Sequence, residues 1–406
     1  MSGIYIHIPF CKQACYYCDF HFSASLKKKT VLVEALCKEL VLRKNEITQP
    51  IETIYFGGGT PSLLTKEELE MLMETIHTNF TIIEHPEITL EANPDDLMSV
   101  RAQSRTIFEN YKAAGINRLS IGIQSFFEED LQWMNRAHNA QEAKDCIKSA
   151  KKYFDNISID LIYGIPGMSD ENWQKNMDMA ISFGIPHISS YALTVEPRTA
   201  LHKFIKQGKI SPVEDAVSKG HYLLLLETMK KEGFINYEFS NFGKEGYFSK
   251  NNTAYWMGKP YLGIGPSAHS FNGTIRSWNI NNNTKYINSI TNNELPLESE
   301  TLTITDKYNE YMMTGLRTIW GVSLDKVEKE FGTKYLNYLL LQAEKPINEG
   351  LLSLVFANVV KQSFKKNEIT SSPKKDGTSR NDKIILVTEK GKFLSDGIAS
   401  DLFWVD

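Results

Sequence analysis

The chain has 406 residues, of which 42% are hydrophobic and 23% charged, and its formal net charge is −4. This length predicts two to three domains with a sizeable core, and the acidic balance gives no indication of nucleic-acid binding. No apolar run approaches the ~20 residues that a membrane span needs, and the first residues lack the pattern of a secretion signal. We therefore expect a cytoplasmic protein.

The first half of the chain alternates short apolar runs with helical patterns. Strands are predicted at residues 4–8, 53–56, 88–91, 118–123, 157–162 and 187–193, and helices between them at residues such as 66–78, 140–153 and 171–183. Six strands alternating with helices indicate a parallel sheet with right-handed crossovers. A partial (β/α)6 barrel fits best, and ligands of such barrels bind at the C-terminal ends of the strands.

Three cysteines follow the first predicted strand. Cys11, Cys15 and Cys18 have C-x3-C-x2-C spacing, which suits three irons of a 4Fe-4S cluster and leaves the fourth iron open. The alternative is a zinc site with His21 as the fourth ligand. The other two cysteines, Cys37 and Cys146, lie in helical patterns and are predicted to be small buried residues rather than a disulfide, which agrees with a reducing cytoplasm.

Polar and glycine residues mark the ends of the later strands. A run of glycines, Gly57, Gly58 and Gly59, precedes Thr60 and allows main-chain groups to approach a charged ligand closely. Further polar side chains at or near the ends of the third to fifth strands are Glu91, Gln124, Arg136 and Asp160. An arginine offers a fork for a carboxylate, and an aspartate accepts hydrogen bonds from hydroxyls. Each residue alone could be structural, but together they favour a ligand site.

These motifs resemble the radical S-adenosylmethionine (SAM) superfamily, and within it the oxygen-independent coproporphyrinogen III oxidases and the related HemW-type heme chaperones. The resemblance rests on residues 5–11, 57–61, 91–94, 122–126, 160–164 and 261–265. It implies a partial (β/α)6 radical SAM barrel and a 4Fe-4S cluster on Cys11, Cys15 and Cys18, whose open iron binds SAM. The SAM contacts that it implies are Tyr5, Tyr17, Gly57, Gly58, Gly59, Thr60, Glu91, Gln124, Arg136 and Asp160.

Two features separate the branches of this family. The oxidases carry a further cysteine two residues after the third ligand and an N-terminal extension, whereas here Phe20 occupies that position and the first strand begins at Ile4. Both absences favour the heme chaperones, which bind heme and pass it to an acceptor protein. The enzymatic alternative is radical decarboxylation of coproporphyrinogen III propionates. A third reading, RNA modification, predicts a basic groove that the net charge does not favour.

The resemblance also implies a set of partners. We expect heme or a porphyrin, an unidentified heme-acceptor protein and a low-potential electron donor. We expect no nucleic acid, and membrane contact only through an acceptor. Whether the protein is an enzyme stays open.

Heme chaperones of this type usually carry an H-N-x-x-Y-W motif linked with heme binding. The corresponding residues begin with Asn251 in place of the histidine, and an amide is a poor axial ligand for heme iron. His269 follows a glycine-rich turn and is the alternative ligand that we consider. The predicted heme region comprises Asn252, Tyr255, Trp256 and His269.

The C-terminal part changes to helical periodicity. Helices are predicted at residues 308–318, 323–331 and 334–347, with Gly321, Gly332 and Gly350 as their stops, and residues 351–360 and 384–388 resemble a hairpin before a final helix. Three helices and a wing indicate a winged-helix-like domain, and the polar residues 361–383 should form a solvated loop. We predict a radical SAM barrel at 1–232, an aromatic-rich extension at 233–299 and this C-terminal domain at 300–406.

Overall fold

Two compact units make up the chain. A computed structural model describes residues 1–98, 104–357 and 382–405. The first unit comprises Met1–Thr228, Ser249–Tyr255 and Lys259–Glu300, and the second comprises Met229–Phe248, Trp256–Gly258 and Thr301–Asp406. The predicted domain boundaries at residues 232 and 299 stay a prediction.

The first unit is built on a parallel sheet. Its six consecutive strands are β1 (Ser2–Ile8), β2 (Ile51–Gly58), β3 (Ile82–Ala92), β4 (Arg118–Gln124), β5 (Ile157–Tyr163) and β6 (His187–Ala192). Each strand pairs in parallel with the next one. Most of their residues are buried, as expected for strands that helices cover. The predicted partial (β/α)6 arrangement is confirmed.

Helices connect these strands and follow the last of them. They are α1 (Lys29–Leu42), α2 (Lys66–Asn79), α3 (Pro94–Leu97), α4 (Ser104–Ala113), α5 (Glu128–Trp133), α6 (Ala140–Ala150), α7 (Asp170–Ser182), α8 (Ala200–Lys206) and α9 (Asp215–Lys231). Capping boxes define the starts of two of them: Thr65 with Glu68 before α2, and Asn139 with Glu142 before α6. These pairs satisfy amide groups that a helix leaves without partners at its N-terminus.

A second set of strands extends the sheet on the other side of β1. After the hairpin β7 (Ile235–Glu238) and β8 (Asn241–Gly243) of the second unit, the chain forms α10 (Lys250–Trp256), β9 (Tyr261–Ile264), β10 (His269–Phe271), β11 (Ile275–Asn279), α11 (Asn283–Thr291) and β12 (Leu297–Thr301). Strand β9 pairs in parallel with β1. The resulting strand order is β12-β11-β10-β9-β1-β2-β3-β4-β5-β6. The aromatic-rich segment therefore contributes strands that its sequence pattern did not indicate.

A buried ionic network fastens this extension to α1. Arg43 donates from Nη1 to Glu39 Oε1 and to the carbonyl of Gly263, both at 2.9 Å. Glu39 also accepts hydrogen bonds from Tyr286 Oη at 2.6 Å and from Asn279 Nδ2 at 2.7 Å. Glu39 and Arg43 are almost fully buried, so the charge of Glu39 depends on Arg43 for its compensation.

The second unit contains three helices and a small antiparallel sheet. The helices are α12 (Ile304–Leu316), α13 (Leu324–Phe331) and α14 (Thr333–Asn348), the strands are β13 (Val322–Ser323), β14 (Leu352–Phe356) and β15 (Lys383–Val387), and a final helix is α15 (Ser395–Asp401). The sheet order is β13-β15-β14, which confirms the winged-helix-like prediction.

The turns of the second unit follow the predicted glycines. Gly321, Gly332 and Gly350 have φ angles of 66°, 95° and 72°, a region that glycine adopts readily. Residues 361–381 of the predicted solvated loop lie outside the described residues. Among the helices that the structure describes, none combines the length and apolar character needed to cross a bilayer.

Candidate functional site

The segment that carries Cys11, Cys15 and Cys18, which we call the cysteine loop, follows the C-terminal end of β1 and is held by hydrogen bonds at its far end, near His21. His7 Nε2 donates to the carbonyl of His21 at 3.0 Å, so Nδ1 of the same ring accepts the hydrogen bond from Tyr5 Oη at 3.1 Å. His21 Nε2 is itself hydrogen bonded to Asn283 Oδ1 at 2.7 Å. One nitrogen of His21, the residue considered as a zinc ligand, is therefore already engaged.

Two side chains donate hydrogen bonds to the cysteine sulfurs. Thr60 Oγ1 lies 3.3 Å from Cys11 Sγ, and Arg136 Nη1 lies 3.4 Å from Cys15 Sγ. Hydrogen bonds to sulfur are among the features that tune iron–sulfur clusters. Burial, with smaller contributions from Cys15 and Cys11, raises the pKa of Cys18 to about 11. Ionisation of one thiol therefore disfavours ionisation of the others, and a bound cation would relieve this repulsion.

The donor set of the loop fits an iron–sulfur cluster. The three thiols are free and half-buried, and soft sulfur ligands suit iron–sulfur centres. Within the described ranges, no group of three or more His, Cys, Asp or Glu side chains is arranged to hold a metal ion. Ligation by the three cysteines therefore stays a prediction from their spacing, with the sulfur hydrogen bonds as its structural support.

The glycine run at the end of β2 holds the carboxyl group of Glu91. Gly58 N donates to Glu91 Oε2 at 3.2 Å, and Tyr55 Oη donates to Glu91 Oε1 at 2.7 Å. A Cβ atom on Gly57 would lie 3.0 Å from the Tyr5 ring and 3.2 Å from Glu91 Cδ, so glycine permits this close packing. Burial raises the pKa of Glu91 to about 7, and the charge of Asp160 adds to the effect.

Asp160 is another partly buried carboxyl group on the inner face of the sheet. It lies on β5 opposite Gly122 of β4 and Ser189 of β6. Burial raises its pKa to about 6, while a hydrogen bond from Ser189 opposes the increase. Ser120 Oγ lies 3.5 Å from Asp160 Oδ1. Two carboxyl groups with raised pKa values in one interior are characteristic of a functional site.

Arg136 connects the cysteine loop to β4. Its Nη2 donates to Asn93 Oδ1 at 2.7 Å and to the carbonyl of Gly122 at 2.9 Å, while Nη1 lies 3.4 Å from Tyr17 Oη. Its Nε is buried and has no hydrogen-bond partner in the part of the chain that the structure describes. Gln124 ends β4 with a φ of 67°, an uncommon conformation for a non-glycine residue that often occurs at functional sites.

A cleft open to solvent runs beside the cysteine loop. Its lining includes Cys15, Thr60 and Arg136. The remaining lining residues are Lys12, Gln13, Asn93, Asp95, Asp96 and Ala137. The structure therefore brings these three predicted site residues together at one opening.

Sequence reasoning missed two asparagines of this site. Asn93 accepts the hydrogen bond from Arg136, and Asn135 Nδ2 donates to the carbonyl of Ala14 within the cysteine loop at 2.7 Å. Asn135 has a φ of 57°, which asparagine tolerates better than most residues. Its position directly before Arg136 was the available signal.

The predicted heme residues lie on two elements, α10 and β10. Asn252 and Tyr255 lie on α10 in the first unit, and the Tyr255 ring lies 4.5 Å from that of Tyr261. Trp256 belongs to the second unit, where the Arg317 guanidinium lies 5.6 Å from its ring centre. His269 is exposed on β10, with its ring centre 5.9 Å from that of Trp278.

Asn251, at the position of the expected histidine, is buried near the N-terminal ends of the first strands. Its side-chain oxygen accepts from Thr53 Oγ1 at 3.3 Å, and its backbone N–H donates to Glu87 Oε1 at 3.1 Å. Only 3% of Asn251 is exposed. The side chain thus joins β2 to α10 and offers no accessible ligand atom.

Comparisons with known proteins identify the family of this chain. Residues 5–180 match the Radical SAM superfamily model, and residues 302–359 match the HemN C-terminal domain model. The chain is 31% identical to the heme chaperone HemW of Bacillus subtilis, over 98% of both chains. The chain belongs to the HemW heme chaperone family. The predicted resemblance is confirmed, and within it the chaperone branch.

Further similarities agree with the HemW assignment. HemW of Synechocystis is 33% identical over 79% of both chains. The fold also resembles that of the solved Escherichia coli coproporphyrinogen III oxidase HemN, with a TM-score of 0.79 and 21% identity over 99% of this chain and 89% of that one. The match to the Radical SAM superfamily implies that this chain binds a 4Fe-4S cluster and SAM as cofactors.

Proposed function

We propose that this protein is a 4Fe-4S and SAM-binding heme chaperone that binds heme and transfers it to an acceptor protein. The observation that carries the proposal is the similarity to HemW proteins along nearly the whole chain. Phe20 supports it, since this residue is 65% exposed at the position where the related oxidases have a further cysteine. The proposal places the protein in the cytoplasm.

Cys11, Cys15 and Cys18 would hold the cluster, which when bound supplies an open iron for the amino and carboxylate groups of SAM and electrons for its cleavage. Thr60 and Arg136 stabilise sulfur charge through the hydrogen bonds already described. Arg136 is fixed in place by Asn93 and by the Gly122 carbonyl. We assign it the role of holding a carboxylate beside the cysteine loop.

The remaining SAM contacts would come from the strand ends. Glu91 and Asp160 present carboxyl oxygens for ammonium or ribose hydroxyl groups, and Gly57, Gly58 and Gly59 present backbone atoms. Tyr5, Tyr17 and Gln124 complete the set of residues that we assign to SAM. Closely spaced polar groups in a buried interior orient such a ligand with little reorganisation.

The test compares chaperone and enzymatic activity in one preparation. Anaerobically reconstituted protein is titrated with ferric heme, and the loaded protein is then mixed with an apo-cytochrome while absorbance follows heme transfer. In parallel, the protein receives coproporphyrinogen III, SAM and a low-potential reductant. We expect heme binding and transfer without protoporphyrinogen. Multiple turnovers to protoporphyrinogen, or no heme binding by protein with an intact cluster, would contradict the proposal.

Two partners belong to the proposal. An acceptor protein must take the heme, and a low-potential electron donor must reduce the cluster if SAM is cleaved. The acidic balance of the chain supports our expectation that neither partner is a nucleic acid.

A further inference from the structure

The nine histidines of the chain differ sharply in their availability as heme ligands. Six of them use ring nitrogens in hydrogen bonds: His7, His21, His77, His138, His187 and His221. The other three, His85, His202 and His269, are exposed. Across the described residues, neither ring nitrogen of His202 or His269 has a hydrogen-bond partner, and His85 lies beside Glu84.

His269 differs from the other two because it lies among aromatic side chains. It is directly opposite Trp278 in the antiparallel pair of β10 and β11, and Phe271 follows it on the same face two residues later. The ring centres of Phe271 and Tyr261 are 6.5 Å apart. Flat apolar surface beside an imidazole is what a porphyrin requires from a binding site.

A cation lies on the same face of the sheet. Arg276 is opposite Phe271 and two residues from Trp278, so alternation places it on the side of His269. Its guanidinium pairs with Glu300 at 3.2 Å, and 32% of its side chain is exposed. Partial burial and Arg276 both lower the pKa of His269, which favours the neutral imidazole that ligates metals.

This surface, which we call the β9–β11 face, comprises Tyr261, His269, Phe271, Arg276 and Trp278. It is continuous with the strand face that carries the proposed SAM residues. Gly263, two residues after Tyr261 on β9, is the partner of Tyr5 on β1, and Tyr5 in turn is the partner of Tyr55 on β2. The Tyr5 and Tyr55 rings stack with centres 6.1 Å apart.

We propose that heme binds to the β9–β11 face with His269 as an axial iron ligand, Trp278 and Phe271 against the porphyrin and Arg276 pairing with a propionate. The inference rests on the proposed heme chaperone function and gives it a site. It also places the ligand away from the Asn251 motif, whose first residue is buried. Heme would then lie on the same sheet face as the SAM residues.

The experiment titrates full-length reconstituted protein with ferric heme and records the Soret band and magnetic circular dichroism. His269→Ala is compared with the matched controls His202→Ala and His85→Ala. We expect His269→Ala to lose the imidazole-ligated heme spectrum and to raise the Kd at least about tenfold, while both controls bind as wild type does. Arg276→Gln should weaken binding roughly two- to fivefold, the size of an exposed ion pair.

A ligand replacement separates coordination from structural effects. His269→Tyr should still bind heme but with the spectrum of a ferric phenolate, a change that only a directly bound residue produces. If wild type binds heme and His269→Ala or His269→Tyr keeps the wild-type spectrum and affinity, the site is wrong although the chaperone function stands. If wild type with an intact cluster binds no heme, the proposed function itself fails.

Discussion

Replacing Glu91 by glutamine should change how the stability of the cluster-free, SAM-free protein depends on pH. Burial raises the pKa of Glu91 from 4.5 to about 7, so the folded state favours the protonated carboxyl group. Below pH 4.5 the carboxyl group is protonated in both the folded and the unfolded chain, so its burial does not lower the free energy of unfolding. As the pH rises towards 7, the unfolded chain ionises first and wild type loses stability, and above pH 7 the penalty is complete.

The size of this effect follows from the difference in proton affinity. Each tenfold change in proton affinity corresponds to about 1.4 kcal/mol. Linkage therefore predicts that the free energy of unfolding of wild type falls by about 2.5 kcal/mol relative to that of Glu91→Gln between pH 5 and pH 8. Urea unfolding of both proteins at pH 5, 6, 7 and 8, followed by circular dichroism, measures the difference. The exposed Glu84 is 89% accessible, and Glu84→Gln is the control that should keep the wild-type profile.

A stability difference between wild type and Glu91→Gln that stays constant from pH 5 to pH 8 would refute this reasoning. Glu91→Gln should also weaken SAM binding to the reconstituted protein by about tenfold, because a neutral amide replaces a carboxylate that accepts charge-assisted hydrogen bonds. A variant that gains stability at pH 8 and loses SAM affinity would show that the buried carboxyl group is retained for binding at the expense of stability.

Three further predictions concern the cluster, the packing of the site and the buried ion pair. Cys15→Ala should lower iron from about four per chain towards zero, whereas Cys37→Ala should not, as iron and sulfide assays after reconstitution will show. Gly122→Ala should keep the fold but weaken SAM binding about tenfold in equilibrium titrations, because its new Cβ would meet polar side chains of the site at 2.9 to 3.3 Å. Arg43→Met should destabilise the protein to urea by about 3 to 5 kcal/mol, because it leaves Glu39 buried without its counter-charge; a loss below 1 kcal/mol would contradict this.

The strands of the barrel could be predicted because they are continuous apolar runs bounded by glycine or polar residues. The 118–123 prediction, for example, differs from β4 by one residue at its end. Predictions for the second unit succeeded for a related reason, since Gly321, Gly332 and Gly350 stand where helices must stop. Both patterns lie within a few neighbouring residues, and structure that depends on neighbouring residues is the easiest to predict from a single sequence.

The extension and the sulfur contacts could not be predicted. Strand β9 is four residues long and contains Gly263, so its apolar run is too short to separate from a loop. The hydrogen bond from Thr60 to Cys11 joins residues 49 positions apart, and the contact from Arg136 to Cys15 spans 121 positions. Such pairs depend on how the strands are ordered in space, which spacing along the chain does not reveal.

The hydrogen bonds that hold the cysteine loop affect what happens when the cluster is lost. The loop is held by protein hydrogen bonds, from Asn135 to the Ala14 carbonyl at 2.7 Å, from Tyr16 N to Met134 O at 3.2 Å and from Leu201 N to Tyr16 O at 2.8 Å. In small zinc domains the metal instead provides the folding free energy. Because the cysteine loop is held in place without iron, the protein should stay folded after oxidative loss of its cluster and should be able to bind a new one. Oxygen would then inactivate the protein reversibly.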